Sequence, residues 1–261
     1  MLALQRKSAD YVEYGKSFVL SDQSSRITSR KAGLRDEFHF LLEHSGDGAH
    51  AFQTLVDQYN FTTVADIGAG VGWHSQLFRK YGKKVTAIDL GRTQAKVADP
   101  KETHPGKGGG ATPDVIGNFM CTVVSDTFDA VWANHVLEHM ENPGLFVRRL
   151  FGMLREGGVL ALSVPPFKTD TVGGHVTNWH AGLLLQHLVR VGFDCSHVRI
   201  LRVGYNLSIL LKKRSIREPI SWIHDHGDIM RMKRYLPSVL VKTNHFLRYD
   251  AFRGNIVALN W

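Results

Sequence analysis

The chain has 261 residues, 43% hydrophobic and 21% charged, the balance of a globular protein able to bury a full core. No apolar run approaches the ~20 residues that span a bilayer. Residues 1–7 do not begin an apolar stretch with a small-residue cleavage site, so a cytoplasmic protein is expected. Cys121 and Cys195 are the only cysteines, which argues against a disulfide framework or a cysteine-based metal site. The net charge of +8 is local: residues 1–48 hold seven basic and seven acidic side chains, residues 49–198 thirteen of each, and residues 199–261 twelve against four. A basic segment of this kind either meets an acidic partner (nucleic acid, a phosphorylated substrate, anionic lipid) or is a solvated face.

In chain order, residues 1–32 are polar and read as an arm, and residues 33–44 place Leu34, Phe38, Leu41 and Leu42 on one helical face. A second amphipathic helix is expected over 49–59. Then strand and helix signals alternate: a strand at 63–67, a glycine loop, a helix over 72–81, and a strand at 84–88. Residues 91–113 are breaker-rich and predict at most one helical turn near 93–98. Strands follow at 115–119 and 128–133. A helix over 143–154 is expected to be closed by Gly157-Gly158, and a strand at 159–164 to stop at Pro165-Pro166. Asn178 is placed to cap a helix running to Val191 and ended by Gly192. Residues 196–203 and 206–212 read as a hairpin around Gly204-Tyr205, and residues 254–261 as one more strand. Alternating strands and helices imply βαβ units. The expected fold is therefore α/β and doubly wound: a mainly parallel seven-stranded sheet with a C-terminal antiparallel hairpin. It divides into an N-terminal arm with lid helices (1–48), a central domain (49–212) and a basic C-terminal extension (213–261).

The glycine loop, Val64-Ala-Asp66-Ile-Gly68-Ala-Gly70-Val-Gly72, runs straight off the first strand into a helix, where bare amides can receive a ligand. A dinucleotide fingerprint needs glycine at the sixth position. Counted from Gly68 that position is Trp73, and from Gly70 it is Ser75, so the fingerprint fails. A phosphate-binding P-loop fails too, since no Gly-Lys-Ser/Thr follows.

The spacing Asp66-x-Gly68-x-Gly70-x-Gly72 resembles the signature of class I, Rossmann-like S-adenosylmethionine-dependent methyltransferases. Asp89 ends the second strand 23 residues later, where that family has its ribose-binding acid; a carboxylate is acceptor-only and engages two hydroxyls. Phe128-Asp-Ala-Val-Trp, His135-Val-Leu-Glu-His139, Arg155-Glu-Gly-Gly158 and Ser163-Val-Pro165 resemble further family motifs in order, over about residues 49–212. The resemblance implies S-adenosylmethionine as cofactor, held by Asp66, Gly68, Ala69, Gly70, Gly72 and Trp73, by Asp89 and Leu90, and by Asn134 and His135. It departs from the family after the third strand, where Asn118 and Phe119 replace the usual adenine-binding Asp. Asn118 is expected to accept from the adenine amino group and Phe119 to stack on the ring.

Methyl transfer of this kind is an in-line displacement driven largely by positioning. An oxygen nucleophile also needs a base, and His139, His175 and His180 are the candidates because they follow the fourth and fifth strands. Each has a plain structural alternative, as a loop-bridging or capping histidine. His135 and His139 lack a third ligand at recognisable spacing, so no metal site is expected. No Asn/Asp-Pro-Pro-aromatic motif for base methylation follows the fourth strand, which reads Asn134-His-Val-Leu. The expected activity is O-methylation of a carbohydrate or small metabolite. The segment after Tyr205 resembles methyltransferases of cell-surface glycan assembly, which makes an anionic carrier an expected partner. An RNA methyltransferase using the basic segment and an inert scaffold of the same fold are the competing readings.

Overall fold

The computed structural model describes residues 48–91, 112–218, 220–225, 227–242, 246–248, 251–252 and 254–261. The arm, the helix at 33–44 and the turn at 93–98 lie outside these residues.

Strands β1 (Thr63–Ile67), β2 (Lys84–Asp89), β3 (Val115–Ile116), β4 (Phe128–Asn134) and β5 (Leu154–Val164) pair in parallel, with β1 between β2 and β4. Strand β7 (Asn206–Lys212) runs antiparallel beside β5, and β6 (Arg199–Val203) antiparallel beside β7. A final strand, β10 (Ala258–Leu259), pairs antiparallel with β6, so the sheet has eight strands in the order β10-β6-β7-β5-β4-β1-β2-β3. The expected seven-stranded sheet thus gains an edge strand from residues 254–261. A separate hairpin joins β8 (Phe246–Arg248) and β9 (Ala251–Phe252).

Both faces are covered because successive strand residues point to opposite sides. In β4, Val131 and Ala133 join the cluster formed with α3 (Pro143–Met153) and α4 (Ala181–Val191), through Phe146, Leu150, Leu184 and Leu188. Ala130 and Trp132 face the other way, onto Phe52 of α1 (Ala49–Gln58) and Leu77 and Phe78 of α2 (Trp73–Lys80). Residues after 212 add to the first cluster: Met232, Leu236, Leu240 and Ile256 are buried there. Buried Lys213 donates to the carbonyls of Phe151 and Leu154 at 2.7 Å, satisfying acceptors at the end of α3. Among the described residues no helix is long and apolar enough to cross a membrane.

Three local expectations are corrected. Strand β3 stops at Ile116 instead of Phe119, because Asn118 opens a turn: its Oδ1 accepts from Met120 N (2.9 Å) and its carbonyl from Cys121 N and Thr122 N. Gly157-Gly158 do not close α3, which passes at Leu154 directly into β5; the glycines sit inside that strand, where its register against β4 shifts. The cap of α4 is His180, whose Nδ1 accepts from Leu183 N at 3.2 Å, while Asn178 bonds the backbone of Lys168. The expected stop at Gly192 holds, with φ +116°.

The C-terminal residues dock where two glycines meet. Gly182 N donates to Gly254 O (2.9 Å), and a Cβ on Gly182 would stand 2.5 Å from Gly254 Cα and 3.2 Å from the Phe252 ring. Gly182→Ala is therefore expected to lower unfolding free energy by about 1–3 kcal/mol, the usual cost of overpacking. Gly152→Ala, where a Cβ meets nothing within 4 Å in α3, is expected to raise it by up to ~1 kcal/mol. Urea denaturation of both variants checks the contrast, and equal effects would contradict this docking.

Candidate cofactor and acceptor site

All parallel strands present their C-terminal ends to one side. Beside β1 the sheet changes winding direction, with β2 on one flank and β4 on the other; open α/β sheets bind ligands at such a point. The glycine loop leaves β1 there. Gly68 N and Ala69 N donate to Ile88 O (2.8 and 3.2 Å), and Gly68 adopts φ +70° with Val136 packed so closely that any Cβ would collide with it. Gly70 (φ +57°) has open space where its Cβ would stand. Trp73 opens α2 directly after the loop.

Asp66 is 2% exposed and accepts from Ser75 Oγ at 2.6 Å. Burial raises its carboxyl to about 6 against the Ser75 hydrogen bond and the Arg79 charge, with the nearby Asp89 charge adding to the rise. Asp89 ties the site together. Its Oδ2 accepts from Gly70 N (3.0 Å), its Oδ1 from Gly91 N (2.8 Å), and its carbonyl from Gly117 N (2.9 Å). Two backbone donors leave about half of the lone-pair directions of a carboxylate for ligand hydroxyls.

Beside it, Leu90 is 49% and Ile116 60% exposed, an apolar pair at the ends of β2 and β3. Ile116 is absent from the residues expected from sequence, because only its exposure on a two-residue strand marks it. Asn118 has its amide oxygen on Met120 N, and Phe119 is buried, with its ring 5.3 Å from Phe146 and the Arg149 guanidinium 4.7 Å over it. The face expected to stack on adenine is thus turned into the core. Asn134 Oδ1 is buried against Gly48 and takes no hydrogen bond among the described residues.

Past β4, His135 holds a left-handed conformation (φ +55°), strained for a residue with a Cβ. Its ring is fixed on three sides: Nε2 lies 2.7 Å from Asn206 Oδ1, Nδ1 lies 3.2 Å from Glu138 Oε1, and the ring stacks 5.7 Å from Tyr205. Glu138 is 1% exposed. His139 Nδ1 meets Gly174 O at 2.7 Å, and the His139 and His175 rings contact edge-on at 5.1 Å. The structure thus brings His139 and His175 together with Glu138, while the Nδ1 of His180 is taken up in capping α4. Glu138 and His175 line a cavity of about 180 Å³ with Pro165, Lys168, Thr177 and Tyr205. Glu138 was legible as part of a motif, but not as the floor of a cavity.

A doubly wound sheet with an acid-bracketed glycine loop at its switch point defines a nucleotide-cofactor domain of Rossmann-like build. Residues 65–162 match the family model described as "Methyltransferase domain". The chain is 33% identical over 148 residues to 2-methyl-6-phytyl-1,4-hydroquinone methyltransferase of Synechocystis, covering 48% of this chain and 44% of that one. It is 32% identical over 131 residues to a ubiquinone biosynthesis O-methyltransferase of Caulobacter vibrioides, covering 50% and 49%. The chain spans about half the length of these curated relatives. A crystal structure of the 1,6-didemethyltoxoflavin-N1-methyltransferase of Burkholderia thailandensis aligns at 17% identity over 75% of this chain and 94% of that one, with TM-score 0.45. The matched segment is similar to methyltransferase domains.

In the unliganded protein Asp66 works against stability. Its folded-state carboxyl keeps its proton up to about pH 6, while an unfolded one releases it near ~3.9. The associated stability is thus full below the unfolded value and lost as pH rises through about 6. Asp66→Asn is expected to be more stable than the wild type above pH 6, by up to about 3 kcal/mol. Denaturant titrations from pH 4 to 8 check this: the difference should shrink on acidification, and a constant difference would contradict it.

Proposed function

We propose that the chain is an enzyme that methylates an oxygen atom of a small, polar organic acceptor, a sugar hydroxyl or a comparable metabolite hydroxyl. The carrying observation is the juxtaposition at one sheet edge of the Asp66–Asp89 glycine loop and a separate polar cavity floored by Glu138 and His175. S-adenosylmethionine supplies an electrophilic methyl group when bound. The residues present fit it: open space at Gly70, spare acceptor capacity on Asp89, and the exposed apolar pair Leu90 and Ile116. Asp66 would face the methionine end and Asp89 the ribose.

The acceptor belongs in the cavity, between Lys168, Thr177 and Tyr205. There the cluster of Glu138, His139 and His175 takes charge of the acceptor proton, with His175 facing the acceptor. Oxygen as the methylated atom is supported by the name of the Caulobacter relative, an O-methyltransferase.

The RNA reading has less support, because the basic excess after residue 198 is partly spent within the protein. Lys213 is buried, Arg199 lies 5.5 Å from the Trp261 ring, and Arg214, Arg231 and Arg234 sit 3.7, 3.9 and 3.4 Å from Asp194, Asp228 and Glu218. The scaffold reading leaves the buried acid Asp66 without a use.

The test has two stages. Calorimetric titration should show S-adenosylmethionine binding that Asp89→Ala weakens at least tenfold; no binding at millimolar cofactor would sink the proposal. Labelled-methyl transfer across hydroxylated small molecules, sugars and RNA then names the acceptor. On that acceptor His175→Ala should lower kcat by about 10²–10⁴-fold, the usual contribution of a positioned proton acceptor, with cofactor affinity unchanged.

A further inference from the structure

We infer that Glu138, His139 and His175 form a binding site for one divalent transition-metal ion of the Zn²⁺ type, open toward the acceptor cavity. The inference deepens the proposed function, since it rests on reading this cluster as acceptor-side machinery. His175, 36 residues beyond His139, joins the adjacent Glu138 and His139: one donor atom from each of the three side chains lies within 4.8 Å of the other two. Two imidazoles and a carboxylate make a nitrogen–oxygen set suited to Zn²⁺, Co²⁺ or Mn²⁺ rather than to Ca²⁺.

The electrostatics call for a cation at this place. Glu138 is almost completely buried, and its carboxylate faces only imidazoles, His135 Nδ1 at 3.2 Å and His139 Nε2 at 3.9 Å, with no lysine or arginine against it among the described residues. A buried carboxylate so thinly partnered is costly. Gly174 O is an acceptor only, so the 2.7 Å contact places the His139 proton on Nδ1 and leaves the lone pair on Nε2. That lone pair lies 3.9 Å from Glu138 Oε1. A cation held between these two acceptors would be shared by both. A backbone carbonyl fixing the far nitrogen is also how metal-bound histidines are held.

The scaffold is built to keep these groups together. Val176 N and Thr177 N donate to Glu138 O (2.9 and 3.1 Å), and Thr177 Oγ1 donates to Leu137 O (3.2 Å). The loop carrying His175 is thereby stitched to the turn carrying Glu138 and His139. Bond lengths of about 2.0–2.2 Å set tetrahedral ligand separations of roughly 3.4 Å, so the cluster has to close slightly on the ion. The 43% exposure of the His139 side chain leaves room for that. Coordination positions not filled by the three side chains would face the cavity that Glu138 and His175 line.

The experiment uses the full chain, stripped with chelator and titrated with Zn²⁺ by calorimetry and with Co²⁺ by visible absorption. One ion per chain is expected, with Co²⁺ bands of low-symmetry nitrogen–oxygen coordination and a rise in Tm on metal addition. His175→Ala and Glu138→Gln should each weaken binding by at least about 10–100-fold. His197→Ala, before β6, should leave binding unchanged. His175 is partly exposed, so its variant keeps the inference testable if Glu138→Gln fails to fold. No stoichiometric binding, or binding indifferent to His175→Ala, overturns the metal site. Methyl transfer retained under that outcome would preserve the enzyme reading, whereas loss of cofactor binding with intact metal binding would remove only that reading.

Discussion

The site depends first on the carboxylate and carbonyl of Asp89. The β1–α2 loop, the exit of β2 and the end of β3 are separate segments, and glycine-rich backbone has little reason to hold one shape. Asp89 receives an N–H from each: Gly70 and Gly91 on its carboxylate, Gly117 on its carbonyl. A single residue at a strand end thus ties three segments together, two through its side chain and one through its backbone. It does so with acceptors to spare, the capacity that the proposed ribose contact would use. Had a neutral side chain stood there, the glycine loop would have kept its turns but lost the tie that aims Gly70 N–H.

A second tie holds the acceptor side. The turn after β4 and the loop after β5 come from neighbouring parallel strands, and the backbone of Glu138 binds them through Val176 and Thr177. His135 links this layer to the hairpin through Asn206 and Tyr205, and its left-handed backbone is tolerated because three ring contacts over-determine it. Val136, the next residue, packs on Gly68 of the cofactor loop. The glycine loop and the cavity lined by Tyr205 are therefore linked through two consecutive residues, the proximity that the proposed in-line transfer would use.

The parallel half of the sheet is legible in sequence because its signals are local: β-branched runs such as Val64–Ile67 and Val85–Ile88 bounded by glycine loops. Asp66 and Asp89 are legible for the same reason, since the spacing of one βαβ unit carries them. What escapes such a reading depends on partners distant in the chain. Asn178 looks like a cap but is claimed by the Lys168 backbone, leaving the role to His180. Gly157-Gly158 look like a helix stop, but the bond between Gly158 O and Lys213 N, 55 residues on, draws them into β5. Phe119 looks free to stack, but Phe146 and Arg149 claim its ring. The meeting of Glu138 with His175 is invisible to spacing rules for the same reason, as it is made by the β4–β5 pairing.

Two buried carboxylates flank this edge, Asp66 at β1 and Glu138 after β4, each under 3% exposed and neither in contact with a lysine or arginine among the described residues. A fold selected for stability alone would replace both with neutral side chains, since each charge is desolvated without full compensation. Their placement makes sense if the compensation arrives with ligands: an ammonium group at Asp66 and a metal ion at Glu138. The strain then works as preorganisation, because groups already stripped of water need no rearrangement when a cation enters.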